Sequence, residues 1–152
     1  MTTTKEYSQE QLAAQPIGYW SRETAGLVIG GLRTALAEED LTQPHWWTLN
    51  HVAGTPGEWT RTTLTTKLAP FDDQNTDFEA LYTDLAARGW LTESDDTLTL
   101  TDEGEAARLR AHDRNAVVHE RMREGITTAE YAATIDVLRR MVANLGGSGD
   151  LP

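Results

Sequence analysis

One stretch of this chain departs from the pattern of all the rest. From Trp90 to Thr101 the residues run Trp-Leu-Thr-Glu-Ser-Asp-Asp-Thr-Leu-Thr-Leu-Thr, with Leu91 ahead of a polar turn and Leu98 and Leu100 alternating with threonines behind it. Alternation of period two on either side of a polar turn predicts a small two-stranded hairpin. The flanking sequence has helical spacing, cut wherever helix-breaking residues fall: Gly54, Pro56 and Gly57, then Pro70, Gly89, Gly125 and Gly146. The position of the hairpin in the order of helices therefore decides the architecture.

A first helix is expected from about Ile17 to Glu38, with Trp20, Leu27, Val28, Leu32 and Leu36 near one side. Gly26 and Gly30 lie four apart inside it. Each costs about 0.8–1.0 kcal/mol relative to alanine, so either another helix or a ligand approaches the backbone there or the helix tolerates a defect. Thr42 caps a second helix with Pro44 in its first turn, and Gly54 ends it. A short third helix runs from about Thr60 to Leu68. The acidic loop Phe71-Asp72-Asp73-Gln74 leads to a fourth helix, striped by Phe78, Leu81 and Leu85 and ended by Gly89.

After the hairpin, Thr101 or Asp102 caps a long helix reaching about Glu124, and Thr127 with Glu130 forms a capping box for the last one. In that last helix Tyr131, Ile135, Leu138, Val142 and Leu145 recur at alternating spacings of four and three, a stripe that wants a partner helix. Residues 1–16 read as a flexible polar arm and residues 147–152 as a flexible tail, leaving 17–146 as a single domain.

The expected fold is mainly α. Three helices followed by a hairpin describe a winged helix-turn-helix head, about residues 41–101, whose third helix enters the major groove while the wing touches the backbone or minor groove. The long helices outside it, about 17–38 and 102–146, have no role inside such a head and are most simply dimerisation elements.

Charge restricts what such a head can touch. The chain has 152 residues with 13 basic and 24 acidic side chains, a formal charge of −11, so non-specific attraction to nucleic acid or an anionic membrane is not the default. Cysteine is absent, which excludes disulfides, thiolate metal sites and cysteine nucleophiles and suits a cytoplasmic protein. No basic segment followed by an apolar stretch opens the chain. No window approaches the roughly 18 apolar residues of a membrane span, so no membrane partner is expected.

The chain resembles the MarR family of bacterial transcriptional regulators over about residues 17–146. The resemblance is carried by Leu41-Thr42-Gln43-Pro44-His45-Trp46-Trp47-Thr48-Leu49-Asn50, by Leu85-Ala86-Ala87-Arg88-Gly89-Trp90-Leu91, by Leu98-Thr99-Leu100-Thr101-Asp102-Glu103-Gly104, and by the closing run from Val137 to Gly147. Gly18-Tyr19-Trp20-Ser21 with the Trp46-Trp47 pair looks like a subgroup common in actinobacteria. The resemblance implies a homodimer that binds palindromic duplex DNA and responds to a small aromatic or hydrophobic ligand held between head and dimerisation helices. In that scheme the ligand changes the separation of the two recognition helices by binding one state better than the other.

The DNA-reading surface departs from the family. Asp72, Asp73, Asp77, Glu79 and Asp84 stand against Arg88 alone between residues 72 and 88, and the wing Glu93-Ser94-Asp95-Asp96 has no cation. Residues 41–104 hold three basic and eleven acidic side chains, whereas residues 105–152 hold seven of each. The DNA-contacting candidates are therefore Arg61, Thr62, Thr63, Lys67, Asn75 and Thr76, through hydroxyls, backbone N–H groups and two cations. Two other readings stay open: a protein that has lost DNA binding and binds or transforms a small molecule, or an interaction module whose acidic surface meets a basic partner.

For the cleft the resemblance points to Tyr19, Trp20, Arg22, Trp46, Trp47, His51, Arg108 and His112. Trp47 shares a helix face with His51, as Trp46 does with Asn50, so one member of each pair can line a cleft while the other packs. The same tryptophans also suit a core. Arg108, His112, Asn115 and His119 form a stripe that reads as a solvated face. Its histidines sit about 10.5 Å apart along the axis, too far to share a metal, and no metal or cofactor is expected. No nucleophile elbow, phosphate loop, dinucleotide fingerprint or Ser-His-Asp arrangement is legible, so no catalytic residue is assigned; an enzyme would have to rely on His51, His112 or Glu23.

Overall fold

A computed structural model of the chain describes residues 4–151. Seven helices and one hairpin follow each other as α1 (Gln9–Ala13), α2 (Ile17–Ala37), α3 (Gln43–Gly54), α4 (Arg61–Leu68), α5 (Phe78–Ala87), β1 (Leu91–Ser94), β2 (Thr97–Leu100), α6 (Asp102–Met122) and α7 (Thr128–Asn144). The expected helices from Ile17 onward and the hairpin all form, with ends within a few residues of those read from the caps and breakers.

The caps explain that agreement. The Oγ1 of Thr60 accepts the Thr63 N–H at 3.1 Å, the Asp77 carboxylate accepts the Ala80 N–H at 3.0 Å, and the Oγ1 of Thr101 accepts the Gly104 N–H at 3.0 Å. Thr127 and Glu130 satisfy each other's backbone N–H groups reciprocally, at 3.1 and 2.8 Å. Each cap gives a first-turn N–H the partner that the helix itself cannot provide. Between α4 and α5 the chain makes one 3₁₀ turn over Ala69–Phe71 and a loop closed by Asp72. The Asp72 carboxylate takes both the N–H and the hydroxyl of Thr76, at 2.7 and 2.8 Å.

In the hairpin Leu91 stands opposite Leu100 and Ser94 opposite Thr97. Asp95 and Asp96 make the turn with φ of 52° and 64°, the paired left-handed conformation whose twist matches that of the strands. Leu91 and Leu98 face inward and close one core with Leu49 and Val52 of α3, Leu64 and Leu68 of α4, and Leu81, Tyr82 and Leu85 of α5. Leu36 enters this core from the end of α2, Leu41 from the connection between α2 and α3, and Ala111 from α6.

The long helix α6 is anchored to the head where its backbone meets the loop before β1. A Cβ on Gly104 would lie 2.1 Å from the Trp90 carbonyl oxygen, so only glycine lets the two backbones touch. The same carbonyl accepts the Thr101 N–H at 3.1 Å, and the Thr101 hydroxyl donates to the Gly89 carbonyl at 2.6 Å. Farther along, α6 lies against α2. Helix α7 buries none of its residues, and Ile135, Val142 and Leu145 of its apolar stripe are exposed.

Both termini hold more structure than expected. Within the arm, Ser8 and Gln11 form a reciprocal cap on the single turn of α1. The tail folds back on α7, where Arg139 donates to the Gly149 carbonyl at 2.6 Å and pairs with Asp150 at 2.9 Å. The first three residues of the arm and the last of the tail lie outside the described residues.

Candidate functional site

Two faces hold the candidate residues. The first is the outer face of the head, formed by α4, the loop after it, α5 and the hairpin. Thr62, Asn75 and Thr76 line one open hollow of about 880 Å³ there, beside Asp72, Asp73 and Glu79. Thr63 is held in the cap of α4, where its hydroxyl also lies 3.0 Å from that of Thr60. Lys67 is half-buried and has no ion pair among the described residues.

Arg61 is not an open cation. Its Nε and Nη2 donate to one oxygen of Glu93 at 2.9 and 2.6 Å, while Nη1 donates to the Glu79 carboxylate at 3.0 Å and to the Thr83 hydroxyl at 3.1 Å. The guanidinium thus joins the start of α4 to α5 and to β1. Glu93, with Glu79 behind it, pushes the Arg61 pKa still higher, so it is charged at every relevant pH.

Arg88 is bound in the same way. It pairs with Asp84 at 2.7 Å, donates to the Asp40 carbonyl at 2.9 Å, and lies over the Trp90 ring. Asp84 also meets His45, whose Nε2 stands 3.1 Å from its carboxylate while Nδ1 accepts the Thr42 N–H. Burial pushes the imidazole below its ordinary 6.5, against the pull of Asp84 and with help from Arg88. Burial works the other way on Asp84, but the hydrogen bonds from Arg88 and His45 outweigh it and hold the carboxyl low. Neutral His45 therefore donates from Nε2 and accepts at Nδ1, tying the start of α3 to α5.

The second group surrounds α3, which meets α6 through Asn50 and the segment beside β2 through His51. Trp46 and Trp47 pack half-buried against the core, as do Trp59 and Trp90. The His51 Nδ1 donates to the Trp47 carbonyl at 2.8 Å, and its ring meets Trp59 edge-on at 5.8 Å. Arg108 donates to the Asn50 side chain at 3.2 Å while Glu105 holds its other edge at 2.6 and 2.8 Å. Asn50, which the sequence paired with Trp46 on one helix face, belongs to this group, and so does Trp59, which was not a sequence candidate. Asn50 lies one turn from Trp46, a spacing visible in the sequence, whereas Trp59 carries no such signal.

The remaining candidates stay apart. Tyr19 and Trp20 meet edge-to-face at 5.1 Å near the start of α2, and the indole donates to Gln15 at 2.8 Å. Trp20 is 49% exposed, so it is not a core residue. Arg22 is exposed beside Glu23, and His112 is exposed beside Asp113. No hydrogen bond or ring contact among the described residues joins these four to the α3 group. The α6 stripe is not a uniformly solvated face: His112 and His119 are exposed, but Asn115 is only 6% exposed and its Oδ1 has no partner. Among the described residues no three His, Asp or Glu side chains are placed to hold a metal.

A third feature lies between α2 and α6. This groove of about 820 Å³ is lined by Leu27, Val28, Gly30 and Gly31 on one side and Val117, Val118 and Met122 on the other, with Arg121 at its edge. Among the described residues nothing comes within 4 Å of a Cβ placed on Gly26 or Gly30; the close approach is at Gly31, 3.1 Å from Val118.

A long helix, three shorter ones, a hairpin and two further long helices in this order define a winged-helix protein. No family model matches the sequence, and no curated protein matches it. Solved structures do. A MarR family protein of Mycobacterium tuberculosis in complex with DNA superposes with a TM-score of 0.67 at 20% identity, covering 88% of this chain and 99% of that one. The PcaV transcriptional regulator from Streptomyces coelicolor, in complex with its natural ligand, gives 0.62 at 25% identity, over 94% and 98% of the two chains. The transcriptional repressor CouR, bound to p-coumaroyl-CoA, gives 0.64 at 24% identity, over 90% and 98%. The chain has the winged-helix fold of the MarR family.

Proposed function

We propose that this chain is a ligand-responsive transcriptional regulator that binds duplex DNA as a homodimer in the cytoplasm. The observation that carries the reading is the division of the fold: a closed winged-helix head beside long helices whose apolar side chains lie open. Helix α7 buries nothing in its own chain, and the groove between α2 and α6 is apolar and empty of side chains from the same chain. A second copy supplies the missing cover and sets two α5 helices at a fixed spacing, which is how such heads span two half-sites.

The head then meets DNA through Thr62, Asn75, Thr76 and Lys67, with Arg61 at the join of α4, α5 and wing. The ligand face is the surface around α3, where Trp46, Trp47 and, from the segment beside β2, Trp59 offer aromatic surface and Asn50, His51 and Arg108 of α6 offer polar groups. A planar ligand there separates α3 from α6 and so changes the angle between head and dimer arm. Among the described residues no helix is long and apolar enough to cross a membrane.

The test is a titration against the DNA upstream of the protein's own coding sequence at about 50 and then about 200 mM salt, across which a phosphate-dependent binder weakens. Sequence-selective binding that weakens with salt is expected. Absence of binding at the lower salt overturns the reading in favour of a MarR-fold protein that only binds or transforms a small molecule. The carboxylates on Arg61 and Arg88 are the observation on that side.

A further inference from the structure

The structure gives Glu79 and Glu93 a role opposite to that of a DNA contact. We propose that these two carboxylates latch Arg61 in an internal ion pair that stands where a backbone phosphate would bind, so that duplex DNA engages the head only by displacing them. The inference rests on the DNA-binding reading above and specifies what controls affinity in it.

The geometry supports the latch in two ways. The guanidinium donates from all three nitrogens, to Glu93 at 2.6 and 2.9 Å and to Glu79 at 3.0 Å, with the Thr83 hydroxyl at 3.1 Å. Oxygens set around a guanidinium at this range reproduce the hydrogen bonding a phosphate offers it. Its position is also the one a phosphate contact needs, since Glu79 and Thr83 lie exposed on α5 and Glu93 on the wing, the two elements a winged helix turns towards DNA.

The charge count then settles the direction. One cation between two carboxylates leaves a local net of −1, which repels phosphate, whereas the same cation between two neutral amides leaves +1. The Arg61 side chain is 25% exposed and the Glu79 side chain 66%, so water and phosphate reach the pair from the α5 side. Arg88 does not offer the same site, because Asp84, the Asp40 carbonyl and the Trp90 ring hold it on the side of the head towards α2.

The experiment compares wild type, Glu79→Gln/Glu93→Gln, the same pair with Arg61→Gln, and Asp95→Asn/Asp96→Asn, on the upstream duplex and on a duplex of scrambled sequence. The wing-tip pair removes two negative charges without touching Arg61. The latch predicts that the glutamine pair binds at least about tenfold more tightly, with a salt dependence steeper by about one released counterion. It also predicts that Arg61→Gln abolishes that gain and that the wing-tip pair gives a smaller one. Far-ultraviolet circular dichroism and thermal melting confirm that each variant is folded.

A gain that survives Arg61→Gln, or an equal gain from the wing-tip pair, overturns the latch in favour of diffuse charge. Wild-type binding with no gain in the glutamine pair overturns the latch and leaves the regulator reading standing. Binding by the glutamine pair alone shows that the two carboxylates exclude DNA from the wild-type head; it supports the displacement they impose and overturns the regulator reading for the wild-type chain. No binding by any variant overturns both.

Discussion

The head and the outer helices solve the same problem of burying apolar surface in different ways. In the head, α3, α4, α5 and the hairpin each contribute leucines to one core, and Leu49, Leu64, Leu85 and Leu98 are wholly buried within a single chain. In the outer helices Leu27 is 75% exposed, Val117 63% and Leu145 89%. Burial of apolar surface is the main stabilising term in folding, so the head is closed within one chain, whereas the outer helices leave apolar surface open that the proposed second copy would cover. Charge divides in the same sense: the head carries the acidic excess, and residues 105–152 are balanced.

The largest effect expected is in the head. Leu85→Ala removes a buried side chain from a closed core and lowers unfolding free energy by about 2–5 kcal/mol. Urea denaturation followed by tryptophan fluorescence in a Trp20→Phe background, where the remaining tryptophans all lie in the head, measures it. If the comparison is right, the loss on this head-specific signal is the same at dilute and concentrated protein; a loss that shrinks with concentration breaks it.

Next comes the arm. Ile135→Asp with Val142→Asp puts two charges on the exposed stripe of α7 and raises the dimer dissociation constant at least about 100-fold, roughly 2.7 kcal/mol. Sedimentation velocity reports the change, while the head's near-ultraviolet dichroism stays as in wild type. A wild-type chain that sediments as a monomer at all concentrations removes the partner from the argument.

A smaller effect sharpens the internal ties of the head. Because His45 has its pKa lowered in the folded chain, its neutral form contributes stability that is whole above the ordinary 6.5 and is lost as pH falls below that value towards the lowered one. His45→Ala removes the reciprocal cap on Thr42 and the tie to Asp84, costs about 0.5–2 kcal/mol at neutral pH, and flattens the stability profile below pH about 6.5. Denaturation midpoints taken across that pH range decide it.

The smallest expected effect separates open from covered surface most directly. Gly26→Ala and Gly30→Ala meet nothing among the described residues, so in the monomeric Ile135→Asp/Val142→Asp background each stabilises by about 0.8–1.0 kcal/mol through helix propensity. In the dimer the gain disappears or reverses if the second copy lies against these glycines. Equal gains in both backgrounds place the partner elsewhere.

Much of the fold was legible because its signals are local. Thr60, Asp77, Thr101 and Thr127 cap helices with their own neighbours three residues on, and Gly89 and Gly125 stop them with φ of 77° and 74°. Leu91, Leu98 and Leu100 marked the hairpin by alternation. The candidate sites were legible only in part. His51 and Arg108 could be named, but their links to Trp59 and Asn50 depend on which helix faces which. Trp20, equally apolar, ends 49% exposed, held by Gln15 and the Tyr19 ring outside the core that the head helices close.

The sequence by itself determined the order of elements, their ends, and a head poor in positive charge, since propensity, capping and composition act over a few residues or none. Only the tertiary structure decided how the head's cations are used. Arg61, Glu79 and Glu93 are distant in sequence, and only the packing of α4 against α5 and the wing brings them within hydrogen-bonding distance. It decided as well that Gly31 rather than Gly26 or Gly30 meets α6, and that α7 lies open. Side chains far apart in sequence meet only after the backbone is packed, and that packing is set by the whole core at once.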